Sequence, residues 1–485
     1  MNIWITKSPK QIDDASEHTQ LKKNLTALDL AALGIGSVVG TGIFVATGQG
    51  AQLAGPGILV SFIIAAVTCG FCALTYSELA CMFPVAGSTY SYSYVAFGEV
   101  IAWIIGWDLM LEYLVAASAV ASGWSTTFIG LIQSAGAKLP KAFIMPPIMV
   151  NPAGRIVLSG GVVDLPAIII TLLITWILFI GIKESAKINN IIVLVKIIVI
   201  VLFIYLGVRH VSLANLHPLM PFGWKGIMAG AAIIFFAYIG FDAVSTAAEE
   251  TKNPKKDVPL GLMLCLGVVI LLYVAVAFVL TGIVPYKQID VGNALPAALA
   301  RIGIQWGGAL VATGAIIGMI STLLVTLYGQ IRIFMVMARD GLLPAAFSRV
   351  HPKHRTPHIC TWITGLATAA IAGLFPLPMI IDLCNIGTLF AFVLVSIGVI
   401  ILRKTQPHVE RRFKTPGVPV TPLITVAFCF YLMYSLPKVT WIRFGVWLLA
   451  GLLIYFMYGV RHSKLQPEVI AQSGTDAKSQ GRSGD

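Results

Sequence analysis

The sequence predicts an all-α polytopic membrane protein of twelve transmembrane helices, and three observations predict it. The 485 residues are 57% hydrophobic and 11% charged, with a mean hydropathy of +0.87, more apolar surface than a soluble chain of this length can bury. Apolar runs of about 20 residues, long enough to cross a bilayer, recur twelve times. Two of those runs, the first and the sixth, are interrupted near their middles by glycine. Interrupted helices five runs apart suggest two five-helix halves, and because five is odd the halves must be inverted relative to each other.

The runs fall at 28–53, 57–81, 99–130, 164–182, 188–208, 226–250, 258–283, 306–336, 359–375, 379–402, 420–436 and 440–460. We number them spans one to twelve. They divide the chain into a cytoplasmic N-terminal segment (1–27), a first five-helix repeat (28–208), a second, inverted one (209–402), a cytoplasmic linker (403–419), helices eleven and twelve (420–460) and a tail (461–485). Spans three and eight are long, which predicts tilt or extension into a loop. The first 25 residues are polar, so no cleavable leader is expected and span one should act as its own insertion signal. Residues 83–98, rich in tyrosine, are too polar to span and predict a short interfacial or re-entrant helix. The linker is basic and Pro-containing, and the Ser-, Gln- and Gly-rich tail is expected to be disordered.

Lysine and arginine set the orientation. With both termini in the cytoplasm, 23 of the 33 basic side chains lie inside and nine outside, while Lys196 falls within span five. The net charge of +12 is thus distributed through loops between spans and does not point to nucleic acid. Cys69 and Cys72 form a CxxC on an apolar helix without a second pair or nearby histidines, which predicts packing rather than redox or zinc chemistry. No Walker loop, HExxH or Ser/His/Asp set is present, so no catalytic and no metal-binding residues are expected.

Span one contains Gly34, Gly36, Gly40 and Gly42, with Ser37 and Thr41 between. Such glycines either let helices pack closely or permit a break. A break in a lipid-embedded helix is tolerable where it lines a cavity or is buried in protein. It exposes N–H groups on one half-helix and C=O groups on the other, which together suit a zwitterion. Span six carries Phe235-Phe-Ala-Tyr-Ile-Gly-Phe-Asp242, again with a glycine at mid-span.

These residues resemble a known family. Gly36-Ser-Val-Val-Gly-Thr-Gly-Ile-Phe44 is similar to the first-helix motif of the amino acid–polyamine–organocation transporters, as is Glu249-Glu-Thr-Lys-Asn-Pro254 followed by Pro259. Gly106-Trp-Asp-Leu-Met-Leu-Glu-Tyr113, Gly329-Gln-Ile-Arg-Ile-Phe334 and Arg339-Asp-Gly-Leu-Leu-Pro344 resemble its cationic amino acid transporter branch, and the likeness covers residues 25–460. The resemblance implies a leucine-transporter-like 5+5 inverted repeat with helices one and six unwound and two extra C-terminal helices, alternating access, and amino acid substrates. It implies that N–H groups around Gly40, Thr41 and Gly42 take the substrate carboxylate. Carbonyls of Val38, Val39, Phe236, Ala237 and Ile239 would take its ammonium, with Ser321 nearby and Phe236 as a lid. The physics agrees, because a buried zwitterion needs a partner for each charge.

Lys196 stands in an uninterrupted apolar stretch, where a lysine is costly and suggests function. The resemblance implies that it replaces a sodium site and exchanges a proton during transport; a static counter-ion is the alternative. Glu112 and Asp108 share a face of span three. Glu112, Ala116, Ala119 and Thr322 are candidates for a side-chain pocket. Asp108 and Asp242 are expected to be structural, and Glu78 with Glu249 and Glu250 to form an intracellular gate. Hydroxyls on span eight keep a sodium-coupled alternative open.

The expected function is proton-coupled uptake of α-amino acids, small neutral ones such as alanine or cationic ones, across the plasma membrane. No cofactor other than the coupling proton is expected, and the partners are the amino acid and the lipid bilayer; any accessory subunit is left open. An exchanger, a sodium symporter, a channel and an amino acid sensor are the alternatives.

Overall fold

A computed structural model describes residues 3–7, 24–83, 88–150, 156–181 and 186–465. The expected disordered tail beyond Pro467 and most of the N-terminal segment lie outside these residues. The described chain is mostly helical, as its composition requires. Among the described residues, eight helical stretches are long and apolar enough to cross a membrane: Gly42–Met82, Glu99–Ser134, Asn190–Val208, Gly223–Ser245, Pro254–Ile283, Gln305–Arg339, Leu377–Thr405 and Lys438–His462. Four shorter apolar helices, Ala27–Val38, Leu165–Ile180, His358–Leu374 and Val420–Tyr434, fall in the remaining predicted runs.

Local chemistry sets the ends of the short helices. Ala27–Val38 opens on a capping box in which Thr26 and Asp29 satisfy each other's backbone N–H groups. Leu165–Ile180 begins at Asp164, whose carboxylate accepts from Ala167 N at 3.2 Å, and stops at Gly181 in the left-handed conformation. Spans three and eight form long uninterrupted helices (Glu99–Ser134 and Gln305–Arg339). They lie side by side because small residues let them approach: Gly106 faces the Met337 side chain and Gly329 faces the Tyr113 ring.

The tyrosine-rich stretch forms the helix Ser88–Ala96. Its Tyr90, Tyr92 and Tyr94 point inward and are buried. Tyr90 donates to Asp340 at 2.6 Å, after span eight, and Tyr94 to Glu99 at 2.8 Å, at the start of span three. Tyr455 of span twelve and Ser463 beyond it also donate to Glu99. Trp103 and Trp107 of span three continue this seam, with Trp107 stacked on Trp447 at 4.5 Å. The connection between spans three and four holds an antiparallel hairpin, Ile148–Val150 with Ile156–Leu158, that hydropathy alone did not suggest.

Candidate functional site

Both interrupted runs are broken. The first half of span one ends at Val38. Val39 turns extended (φ −75, ψ 97), and the chain resumes through a wide turn, Gly42–Ala46, into the helix Thr47–Ala54. In span six, Gly223–Ile234 passes into a tight turn over Phe235–Tyr238; Ile239 is extended (ψ 138) and Gly240 has φ +107. Gly240 is required at that angle.

The breaks abut. A Cβ on Gly42 would lie 2.3 Å from Ala237 Cα, and one on Gly240 would lie 2.7 Å from Ser37 Oγ. Span three closes the third side: Thr41 Oγ1 donates to Val120 O at 3.4 Å, and Gly123 packs on the Thr41 side chain. Close packing and helix interruption, the two readings of the glycines, therefore both operate. Gly34 serves the first, pressed against Cys265 and Val244, while Gly42 serves both.

A helix that stops leaves its last carbonyls without intrahelical partners. Val39 N donates to Ile35 O at 2.8 Å, but the next carbonyls need help from outside. Lys196 of span five donates to Gly36 O at 2.5 Å and Thr322 Oγ1 at 2.9 Å. Tyr273 of span seven donates to Val38 O at 3.1 Å, and Thr322 Oγ1 to Val39 O at 3.3 Å. The buried ammonium thus caps the negative end of a half-helix, the end that favours cations. Its stem packs on Gly318, where a Cβ would lie 2.9 Å from Lys196 Cγ.

The sequence-predicted residues distribute as follows. Val38, Val39, Gly40, Thr41 and Gly42 border one break and Phe236, Ala237 and Ile239 the other, so the structure brings these two groups together. Phe236 O accepts from Ile239 N at 3.2 Å. A carbonyl has two acceptor sites, so Val38, Val39 and Phe236 each retain acceptor capacity. Ser321 is buried and its hydroxyl lacks a hydrogen-bond partner. The Thr322 hydroxyl meets the Lys196 ammonium and the carbonyls of Gly36 and Val39. Ala119 is fully buried, Ala116 partly so, and Glu112 is 4% exposed. Asp242 of span six is likewise buried. The Asp108 carboxylate lies against Gly387 of span ten, both oxygens without a hydrogen-bond partner. Tyr273 was not singled out from sequence; a lone tyrosine in an apolar helix carries no periodic signal.

Two of the expected gate acids, Glu78 and Glu250, have partners; the Glu249 side chain lies outside the described residues. Glu78, 1% exposed, accepts from Arg403 Nε at 2.9 Å and Nη2 at 2.8 Å and from Thr415 N at 2.8 Å, with Arg411 Nε 3.3 Å away. Glu250 faces Arg332 at 3.7 Å. These contacts tie spans two and ten to the linker and span eight to the end of span six. Among the described residues no group of three His, Cys, Asp or Glu could hold a metal.

Broken helices that abut inside a polytopic bundle define the anatomy of a secondary transporter. The profile of the amino acid permease family matches residues 25–458. The chain belongs to this family, within the amino acid–polyamine–organocation superfamily, and is a transporter and not an enzyme. It is 48% identical over 451 residues to a branched-chain amino acid permease of Bacillus subtilis, covering 93% of this chain and 96% of that one. It is 47% identical over 467 residues to a methylthioribose transporter of the same organism, covering 96% and 100%. It is 37% identical over 412 residues to a vacuolar cationic amino acid transporter of Arabidopsis thaliana, covering 83% and 65%.

Proposed function

We propose that this protein takes up α-amino acids together with protons, by alternating access, with Lys196 as the group that gains and loses the coupling proton. The observation that carries this reading is the abutment of two broken helices with a buried, titratable ammonium capping one of them. Loss of the Lys196 proton removes a charge from the end of the first half-helix and weakens the cap on Gly36. That gives proton release a direct mechanical target in span one. The backbone of Gly40, Thr41 and Gly42 takes the carboxylate, and carbonyls of Val38, Val39, Phe236, Ala237 and Ile239 take the ammonium, with Phe236 closing over them and Ser321 supplying a hydroxyl.

The same reading carries twelve crossings in a 5+5 inverted repeat, both termini in the cytoplasm, and residence in the plasma membrane. For the substrate side chain, buried Ala119 and partly buried Ala116 favour small or branched neutral residues, a choice that the relatives named as branched-chain permeases support. Glu112 is the basis for the cationic alternative. The relative named for methylthioribose is nearly as similar as the first permease, so that neutral thiosugar belongs in the same trial.

The test is uptake into vesicles holding purified protein and no internal substrate, under an imposed pH gradient, without sodium. Accumulation of a labelled neutral amino acid supports the proposal. Uptake only against preloaded substrate identifies an exchanger, and a requirement for sodium identifies a sodium symporter. Competition by all common amino acids and methylthioribose then assigns the side chain; saturation and counterflow separate a carrier from a channel or a sensor.

A further inference from the structure

The connection between spans three and four is unlike the other loops. Its two strands are apolar at every position: Ile148, Met149 and Val150 pair with Leu158, Val157 and Ile156. Paired residues share a face and neighbours alternate, so both faces of the hairpin are apolar. A hairpin standing in water keeps at least one polar face, and an isolated two-stranded hairpin is marginal there. Yet Leu158 is 85% exposed, Ile156 54%, and Met149 and Val157 of the opposite face 38% and 37%. Phe143 and Val162 beside the strands are exposed as well.

The charge of this segment is one-sided. From 135 to 163 the sequence contains Lys138, Lys141 and Arg155 and no acidic residue. Lys138 and Lys141 are exposed. The hairpin is held close to the helix ends: Val162 N donates to Ala142 O at 2.8 Å, Ser159 N to Pro147 O at 3.0 Å, and Asp164 N to Gly373 O, at the end of span nine, at 3.0 Å. Its base is therefore fixed where span four enters the membrane.

We propose that this hairpin is an interfacial anchor: its exposed apolar residues dip into the acyl–headgroup boundary beside spans three and four, and Lys138 and Lys141 engage anionic lipid headgroups. Apolar insertion plus basic flanks is the combination that binds anionic membrane surfaces. The occupant is the lipid that already surrounds the spans, and the inference is independent of which solute is carried.

The experiment places an environment-sensitive fluorophore on Leu158→Cys in the full-length protein, in nanodiscs of phosphatidylglycerol or of phosphatidylcholine. The seven native cysteines are buried, which directs the label to the new one; a second label on Phe143→Cys guards against a local effect of either substitution. Expected are a blue-shifted emission and quenching by nitroxide lipids, at least twofold stronger in phosphatidylglycerol, weakened by added salt and by the Lys138→Glu/Lys141→Glu pair. Equal quenching by aqueous iodide in both lipids, at both positions, overturns the proposal. So does shielding that appears only with added substrate, the mark of a lid, or only with a co-purified protein.

Discussion

Lys196 shows what one residue can disclose and what it withholds. Its placement in an unbroken apolar run marked it as functional from sequence, but its partners were invisible there, since Gly36 and Thr322 are 160 and 126 residues away. Replacing Lys196 by Met keeps the stem and removes the donor; we expect pH-driven uptake to disappear while substrate counterflow persists, measured in the same vesicles. Accumulation driven by pH in that variant would refute the coupling role. Tyr273 was not legible at all, because a hydroxyl that caps a distant carbonyl has no sequence signature. Tyr273→Phe should leave the Val38 carbonyl short of a partner, a cost of about 1–3 kcal/mol for a buried acceptor, read as a lower melting temperature in detergent.

At the scale of the element, the interruptions were legible because Gly34, Gly36, Gly40 and Gly42 crowd together in span one and Gly240 stands beside Asp242 at the middle of span six. Their contact with each other was not, since it depends on the bundle. Gly42→Val places a branched side chain where Ala237 already stands, 2.3 Å from the added Cβ. We expect uptake to be lost while the protein still inserts, with surface labelling as the control. The loop after span eight offers a second prediction. His351 Nδ1 accepts the N–H groups of Lys353 at 3.2 Å and His354 at 3.3 Å, which only an unprotonated nitrogen can do. Partial desolvation, then the neighbouring His354, His358 and Lys353, holds its pKa below the usual 6.5. A lowered folded pKa means that loop stability is full above the unfolded value of about 6.5 and declines as pH falls toward the folded one. Protection of the 351–356 amides, taken relative to their intrinsic exchange rates, should therefore fall on acidification, and His351→Asn, whose side-chain oxygen still accepts, should make that protection insensitive to pH. The hairpin between spans three and four was missed for a plain reason: two apolar triplets, Ile148–Val150 and Ile156–Leu158, are too short to register as a span and too apolar to read as a loop.

For the whole molecule, composition was enough to read a membrane protein, and the motifs were enough to read its family. The ties between span ends and the 403–419 linker were only half legible. Acids near span ends suggested a gate, yet nothing in the chain linked Glu78 to Arg403, 325 residues on. Removing one partner of a buried ion pair is strongly destabilising. Glu78→Gln should lower stability by about 3 kcal/mol, seen as earlier thermal aggregation in detergent, and loosen the 403–419 linker to protease; unchanged melting would show that the clasp is ornamental.

The knot around Glu99 has a practical corollary. Its strand from the far end of the chain is Ser463, and Lys464 N also donates to Asp340 O at 3.1 Å. Purification handles or reporters fused after Leu465 leave that stitch intact, whereas truncation at Gly459 removes Ser463 and Lys464 and leaves Tyr455 and Trp447 as the ties between the last helix and the third.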